Sequence, residues 1–225
     1  MGWIEFIVAF AVFFASHMLP VRPHIRERIE RVTGTRGFSI IYSVLSLAVL
    51  AWLIGAAGRA PYIEIWPWAA WEVHVTHAAM LTACMILGLS LGRPNPFSFG
   101  GGSQPFDPVH PGLVRWMRHP VLVAMTLWAG AHLLVNGALA HVILFGLFCG
   151  FSVIGQGAID RRKQREMGPD WRTLNSARRS QSSARTAFGR NELVLRLLAG
   201  LLLFALLLVV HPLFFGVSAL ALTLF

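Results

Sequence analysis

Charge is scarce in this sequence, and so is cysteine. Only 13% of the 225 residues are charged while 56% are hydrophobic, which excludes an ordinary soluble domain. The two cysteines, Cys84 and Cys149, both fall inside apolar runs and read as small packing residues, so no disulfide framework is expected. The apolar runs lack the period-two alternation of a transmembrane β-barrel, which excludes that class. No internal repeat and no interdomain linker stands out. The first apolar run has no basic flank before it and reads as a retained helix rather than a cleaved leader.

What the chain does have is a series of continuous apolar stretches near the ~20 residues needed to cross a bilayer. They run from Gly2 to Leu19, Phe38 to Ala57, Val73 to Leu91, Val121 to Val135, Leu139 to Ile159 and Glu192 to Val210. The predicted fold is all-α, a polytopic transmembrane helix bundle of about six spans forming a single domain over residues 1–225. His211-Pro212 is expected to interrupt the last span, leaving Leu213 to Phe225 as a kinked continuation or an interfacial segment. Residues 24–36 carry Ile25, Ile29 and Val32 at helical spacing among charges and read as an interfacial amphipathic segment. Asn136-Gly137-Ala138 is a tight connection, so the spans on either side form an antiparallel hairpin. Residues 92–119 form a long Gly/Pro-rich connection and residues 160–191 a polar, basic loop.

A formal net charge of +9 raises nucleic acid as a partner, and the placement of the charge excludes it. Segments 20–36, 92–119 and 160–191 hold every Lys and Arg except Arg59 and Arg196. Orientation bias and anionic lipid explain that pattern, so the partner is the lipid bilayer. The positive-inside rule puts the protein in the inner (cytoplasmic) membrane, N-terminus outside and basic loops in the cytoplasm.

Nine histidines are many for so few charges. His24, His110 and His141 fit solvated or interfacial positions. His74 and His77, three apart, share a helix face, but no further ligand accompanies them and interfacial anchoring explains them. His17, His132 and His211 each lie in or at the end of an apolar run with no acidic neighbour. An imidazole there needs a partner. It is either a hydrogen-bonded core histidine or one of two axial ligands to a non-covalent haem. No C-x-x-C-H is present, so any haem is b-type.

Ordered motifs then span nearly the full chain: S-H-M-L-P-V-R at 16–22, Y-S-V-L-S-L at 42–47, R-H-P at 118–120, A-H-L-L-V-N-G at 131–137, D-R-R-K at 160–163, F-G-R at 188–190 and H-P-L-F-F-G at 211–216. Together they resemble the NnrU family, which includes the 15-cis-zeta-carotene isomerases. The resemblance implies an integral membrane protein with haem b held by two histidines, which fall on His17 and His132. It also implies a role in denitrification and nitrogen-oxide handling, or haem-dependent cis–trans isomerisation of a polyene; the ligand is then a nitrogen oxide or a hydrophobic small molecule. The isomerases carry a cysteine three residues before the second ligand, where this chain has Ala129.

The inferred topology sets His17 near the cytoplasmic end of the first span and His132 roughly 20 Å of helix beyond His119. His211, near the outer end of the last span, is closer to His132 in depth and is kept as the substitute ligand. Arg118, Arg161, Arg162 and Arg22 are candidates for the haem propionates, with His119 on the cofactor side and Trp128, one turn from His132, over the porphyrin face. Orientation bias and lipid phosphate are the alternative for the arginines, and packing the alternative for Trp128. Asp160 is expected to pair with its neighbouring arginines. Arg118-His119-Pro120 also resembles a motif of membrane methyltransferases of the isoprenylcysteine type, which use paired acids to hold S-adenosylmethionine; those acids are missing here. A cofactor-free structural subunit is the third reading.

Overall fold

The computed structural model describes residues 2–100, 102, 104–180 and 188–219. They form α1 (Gly2–Met18), α2 (Pro23–Arg59), α3 (Ala70–Ser90), a single 3-10 turn (Gly112–Arg115), α4 (Pro120–Val135), α5 (Leu139–Met167), α6 (Pro169–Ser180) and α7 (Arg190–Phe215). Among the described residues there is no strand, only an isolated antiparallel bridge between Glu64 and Ala138. Four helices, α2, α3, α5 and α7, are long and apolar enough to cross a membrane, while α1 and α4 are apolar but shorter. The all-α membrane class holds, with two of the six expected spans below full crossing length.

Several boundaries differ from expectation, each for a local reason. The amphipathic segment 24–36 and the second span are one helix bent at Gly34, whose φ of 72° is open to glycine at little steric cost. Residues 160–191 are not one loop. α5 runs on to Met167 because Arg162, Lys163 and Glu166 pair along its surface, and α6 follows. His211-Pro212 does not end α7, which continues to Phe215. Proline removes one helical hydrogen bond, and so close to the C-terminus few others are lost. Of the expected segment from Leu213 to Phe225, residues 220–225 lie outside the described residues.

The chain forms two compact units. In the first, α1 lies against α2. Phe6, Ala9 and Phe10 are buried on α1, and Val49, Leu53, Ala56 and Ala57 on α2. The alanines let the two backbones approach closely, as helix pairs in lipid require. Arg59 closes one end with a 2.5 Å salt bridge to Glu5, and the Tyr42 hydroxyl donates to the His17 carbonyl at the other. The start of α5 belongs to this unit. Ile65 N–H donates to Gly137 O and Leu139 N–H to Ile63 O, both at 2.8 Å. A Cβ at Gly137 would sit 1.9 Å from Trp66 O, so no other residue fits that turn.

In the second unit α3 is central and packs on both α4 and α7. Ala83, Ile86, Leu113 and Ala124 form its buried apolar cluster. Thr76 Oγ1 donates to Ala131 O, tying α3 to α4. α3 and α7 meet at glycine: a Cβ on Gly88 would lie 2.5 Å from Arg196 O and 2.8 Å from Gly200 N. Leu195, Leu202 and Val209 of α7 stay exposed, a surface suited to acyl chains rather than water. The glycine contact yields a prediction. Gly88→Val forces α7 off α3 and lowers stability in detergent by roughly 1–3 kcal/mol, as overpacking does. A thermal melt unchanged from wild type would contradict the contact.

Candidate functional site

Two polar centres lie in the second unit, at opposite ends of α4. The first is built on its N-terminal end. Arg118 grips Asp160 of α5 with both limbs, Nε to Oδ1 at 2.9 Å and Nη2 to Oδ2 at 2.5 Å. His119, only 3% exposed, reaches the same carboxylate with Nε2 at 3.0 Å, while its Nδ1 lies 3.0 Å from Ser98 Oγ. A neutral ring satisfies both contacts: Nε2–H donates to Asp160, and Nδ1 accepts from the Ser98 hydroxyl. Burial holds the imidazole below its ordinary range, outweighing the opposing pull of Asp160. The pairing of Asp160 expected with Arg161 and Arg162 is therefore corrected. Arg161 and Arg162 are exposed, Arg162 facing Glu166 at 3.3 Å, because α5 turns them away from α4.

Around this clamp the sequence reading missed Ser98, Trp171 and Arg178. Arg178 of α6 is 2% exposed. Its Nη1 donates to Val114 O at 2.8 Å and Arg115 O at 2.7 Å, the free carbonyls ending the 3-10 turn, and its Nε donates to Asn175 Oδ1 at 2.9 Å. Burial first, then Arg118 and Arg179, push its pKa down to about 10 against the pull of Asp160. Trp171, Leu174 and Arg178 recur at helical spacing and carry the one signal that was available. Their segment reads as a basic loop because only short apolar stretches interrupt it.

The second centre is at the C-terminal end of α4. His132 Nδ1 lies 2.8 Å from Trp128 O, so the nitrogen carries the proton and donates to the carbonyl one turn earlier. Nε2 keeps its lone pair and has no hydrogen-bond partner among the described residues. Trp128 and Phe145 pack on the ring at centroid distances of 5.3 and 5.1 Å. His211 of α7 lies 6.4 Å from His132 between ring centroids, the planes 31° apart. Its Nδ1 donates to Val217 O at 2.7 Å, again leaving Nε2 unprotonated, and Phe215 packs beside it at 4.9 Å.

His17 belongs to the first unit and shows the same arrangement, with Nδ1 2.8 Å from Phe13 O and the Phe13 ring at 4.1 Å. His74 is exposed, and His77 Nε2 faces Ala219 O at 2.9 Å. Among the described residues no three His, Cys, Asp or Glu converge as a metal cage. Arg118 and His119 do not join His132. The thirteen helical steps from His119 to His132 measure roughly 20 Å, and Arg161 and Arg162 lie at the clamp end on α5. Of the candidates in the second unit, Arg118, His119, Arg161 and Arg162 thus lie at one end of α4 and Trp128 beside His132 at the other.

The clamp makes two predictions. Asp160→Asn leaves Arg118 without its charge partner and costs ~2–3 kcal/mol by chemical or thermal unfolding, below the ~3–5 of a fully buried pair because Asp160 is 15% exposed. Because folding depresses the His119 pKa, the unfolded chain takes up a proton first. Stability from this group is complete above about 6.5 and is lost as pH falls through the lower folded value. His119→Gln should flatten the dependence of the melting temperature on pH between about 5 and 7; an unaltered slope would refute the assignment.

A family model described as NnrU protein matches residues 5–219 of the chain. No curated protein and no solved structure matches it.

Proposed function

The chain belongs to the NnrU family, and on that footing we propose that it is a membrane-embedded b-type haem protein in which His132 of α4 and His211 of α7 would hold the iron. One observation carries the reading. The two imidazoles lie 6.4 Å apart, each with its Nδ1–H committed to a main-chain carbonyl and its Nε2 lone pair uncommitted. An imidazole nitrogen sits about 2 Å from a bound metal, so two rings sharing one ion have centroids roughly 6 Å apart. A carbonyl on the other ring nitrogen is the usual support for a ligating histidine. Two neutral imidazoles with open Nε2 atoms are donors that would hold a haem iron, and Trp128, Phe145 and Phe215 would offer apolar ring surface beside it.

When bound, haem supplies a redox-active iron with an exchangeable coordination position. The protein's own part is to hold both rings in one tautomer and to exclude water with the aromatic side chains. His211 is the replaceable partner: it sits in the last turns of α7, partly exposed, and is steadied by one hydrogen bond to Val217 O. The aromatic side chains beside the two rings are uncharged, which suits a nitrogen oxide as ligand in line with the denitrification role implied for the family. A polyene undergoing cis–trans isomerisation fits the same surface. His17 of the first unit carries the same carbonyl lock and is a ligand the family resemblance implies. In this reading the N-terminus faces outward and the basic segments face the cytoplasm. The methyltransferase alternative needs a free pair of carboxylates, and Asp160 is already engaged by Arg118 and His119.

The test is an optical spectrum of the detergent-purified protein with and without dithionite. Wild type should show a Soret band that shifts on reduction. His132→Ala should lose it, His211→Ala should convert it to a five-coordinate form that binds nitric oxide faster, and His74→Ala should leave it unchanged. Loss in His17→Ala with retention in His211→Ala would move the second ligand to His17. A His132→Ala protein that keeps its full haem content would remove the proposal. Expression in cells accumulating the cis carotene separates the two substrates, since conversion there is expected of the isomerase alone.

A further inference from the structure

Positive charge outnumbers negative at the junction between the 3-10 turn and α6. Among the described residues Asp160 is the one carboxylate in a salt bridge with Arg115, Arg118 or Arg178, and His119 is neutral there. Arg178 has no carboxylate within salt-bridge distance among the described residues, and its hydrogen bonds go to carbonyls and an amide oxygen. Asp160 is fully used by Arg118 and His119.

The same junction holds buried donors with nothing to donate to. Four buried side-chain atoms lack a hydrogen-bond partner among the described residues, and two of them are here: Arg115 Nη1 and Trp171 Nε1. A buried N–H without an acceptor is destabilising, so such atoms are rare and call for an acceptor from outside the protein. The Trp171 ring is fixed between Phe97, 6.2 Å away, and the Arg118 guanidinium, 5.7 Å from its centroid. Arg118 keeps a quarter of its side chain exposed.

We propose that this junction binds a phosphate group, with Trp171 Nε1 and Arg115 Nη1 as donors and the Arg118 guanidinium as the facing charge. A phosphate matches on three counts. It carries one or two negative charges, offsetting the local excess. It offers several acceptor oxygens at once, for donors arriving from different elements. Guanidinium groups bind it through directed hydrogen bonds rather than as point charges. The group is either a free phosphate or the headgroup of an anionic phospholipid, two sources with the same chemistry. The site is independent of the haem reading, since it lies a helix length from His132.

The measurement is the melting temperature of the purified full-length protein in detergent, titrated with sodium phosphate at constant ionic strength against chloride. Wild type should gain a saturable rise with phosphate that chloride does not give. Trp171→Phe keeps the ring between Phe97 and Arg118 but removes the N–H, and should need at least tenfold more phosphate; Arg115→Gln should behave alike. The sources separate in nanodiscs. If phosphatidylglycerol is the occupant, added phosphate no longer shifts the melt in discs containing it, and that lipid co-purifies with wild type but not with Trp171→Phe. A phosphate shift that persists in those discs identifies free phosphate. No shift in wild type with either phosphate or phosphatidylglycerol, or equal shifts in wild type and both variants, would overturn the site.

Discussion

An N–H or O–H without an acceptor is costly in an apolar environment, and that constraint shapes most of the polar chemistry of this chain. The response is local and repetitive. Thr82, Thr126 and Ser152 each turn the hydroxyl back to the carbonyl one helical turn earlier. His17 and His132 do the same with Nδ1. For a hydroxyl the result is only satisfaction. For an imidazole it also selects the tautomer, because the nitrogen that donates must be protonated and the other then holds a lone pair. A histidine made tolerable inside an apolar helix in this way becomes ligand-competent with no further residue needed.

The clamp at the head of α4 follows the opposite logic. Here Arg118 is answered by a carboxylate, so charge is neutralised by charge. Arg118 and His119 are adjacent in sequence yet both reach Asp160, forty residues on, because α4 and α5 run as the two arms of a hairpin and bring the start of one to the far part of the other. Pro120 lets α4 begin there, having no N–H to leave unsatisfied in the first turn. Arg178 completes the region by capping the carbonyls of the 3-10 turn, so three non-contiguous segments are held by guanidinium groups. Such a region is strongly specified but sensitive, since removal of any one partner strands a buried charge.

Hydropathy alone made the helices legible, because a run of apolar residues carries its own evidence. Boundaries that depend on polar residues were less so. α6 was unreadable as a helix from its apolar content, since Trp171 and Leu174 are its few bulky apolar residues and its inner face is completed by an arginine. The pairing of Asp160 was misread for a related reason: proximity in sequence favoured Arg161 and Arg162, while the helix aims those side chains outward. His132 and His211 were legible as expensive residues needing partners. Their approach to 6.4 Å was not, because it depends on α7 continuing past Pro212 and on both helices packing against α3.

The length of α4 links the two centres. Its sixteen residues measure about 24 Å, against roughly 30 Å for the hydrocarbon layer. A helix this short cannot keep both ends in bulk water if it crosses, so one or both of its polar ends lie at a depth where hydration is poor. Thirteen residues at 100° each also turn His132 well over a third of a revolution from His119. The two imidazoles therefore face different neighbours at different depths, and neither can serve the other's site. The division shows in their chemistry. At the clamp end both ring nitrogens of His119 are occupied, which leaves it no ligand capacity. At the other end one nitrogen is occupied and one is open. On a single helix the same residue type thus performs structural closure at one terminus and keeps a coordination position at the other, and what decides between them is how many hydrogen-bond partners the surroundings provide.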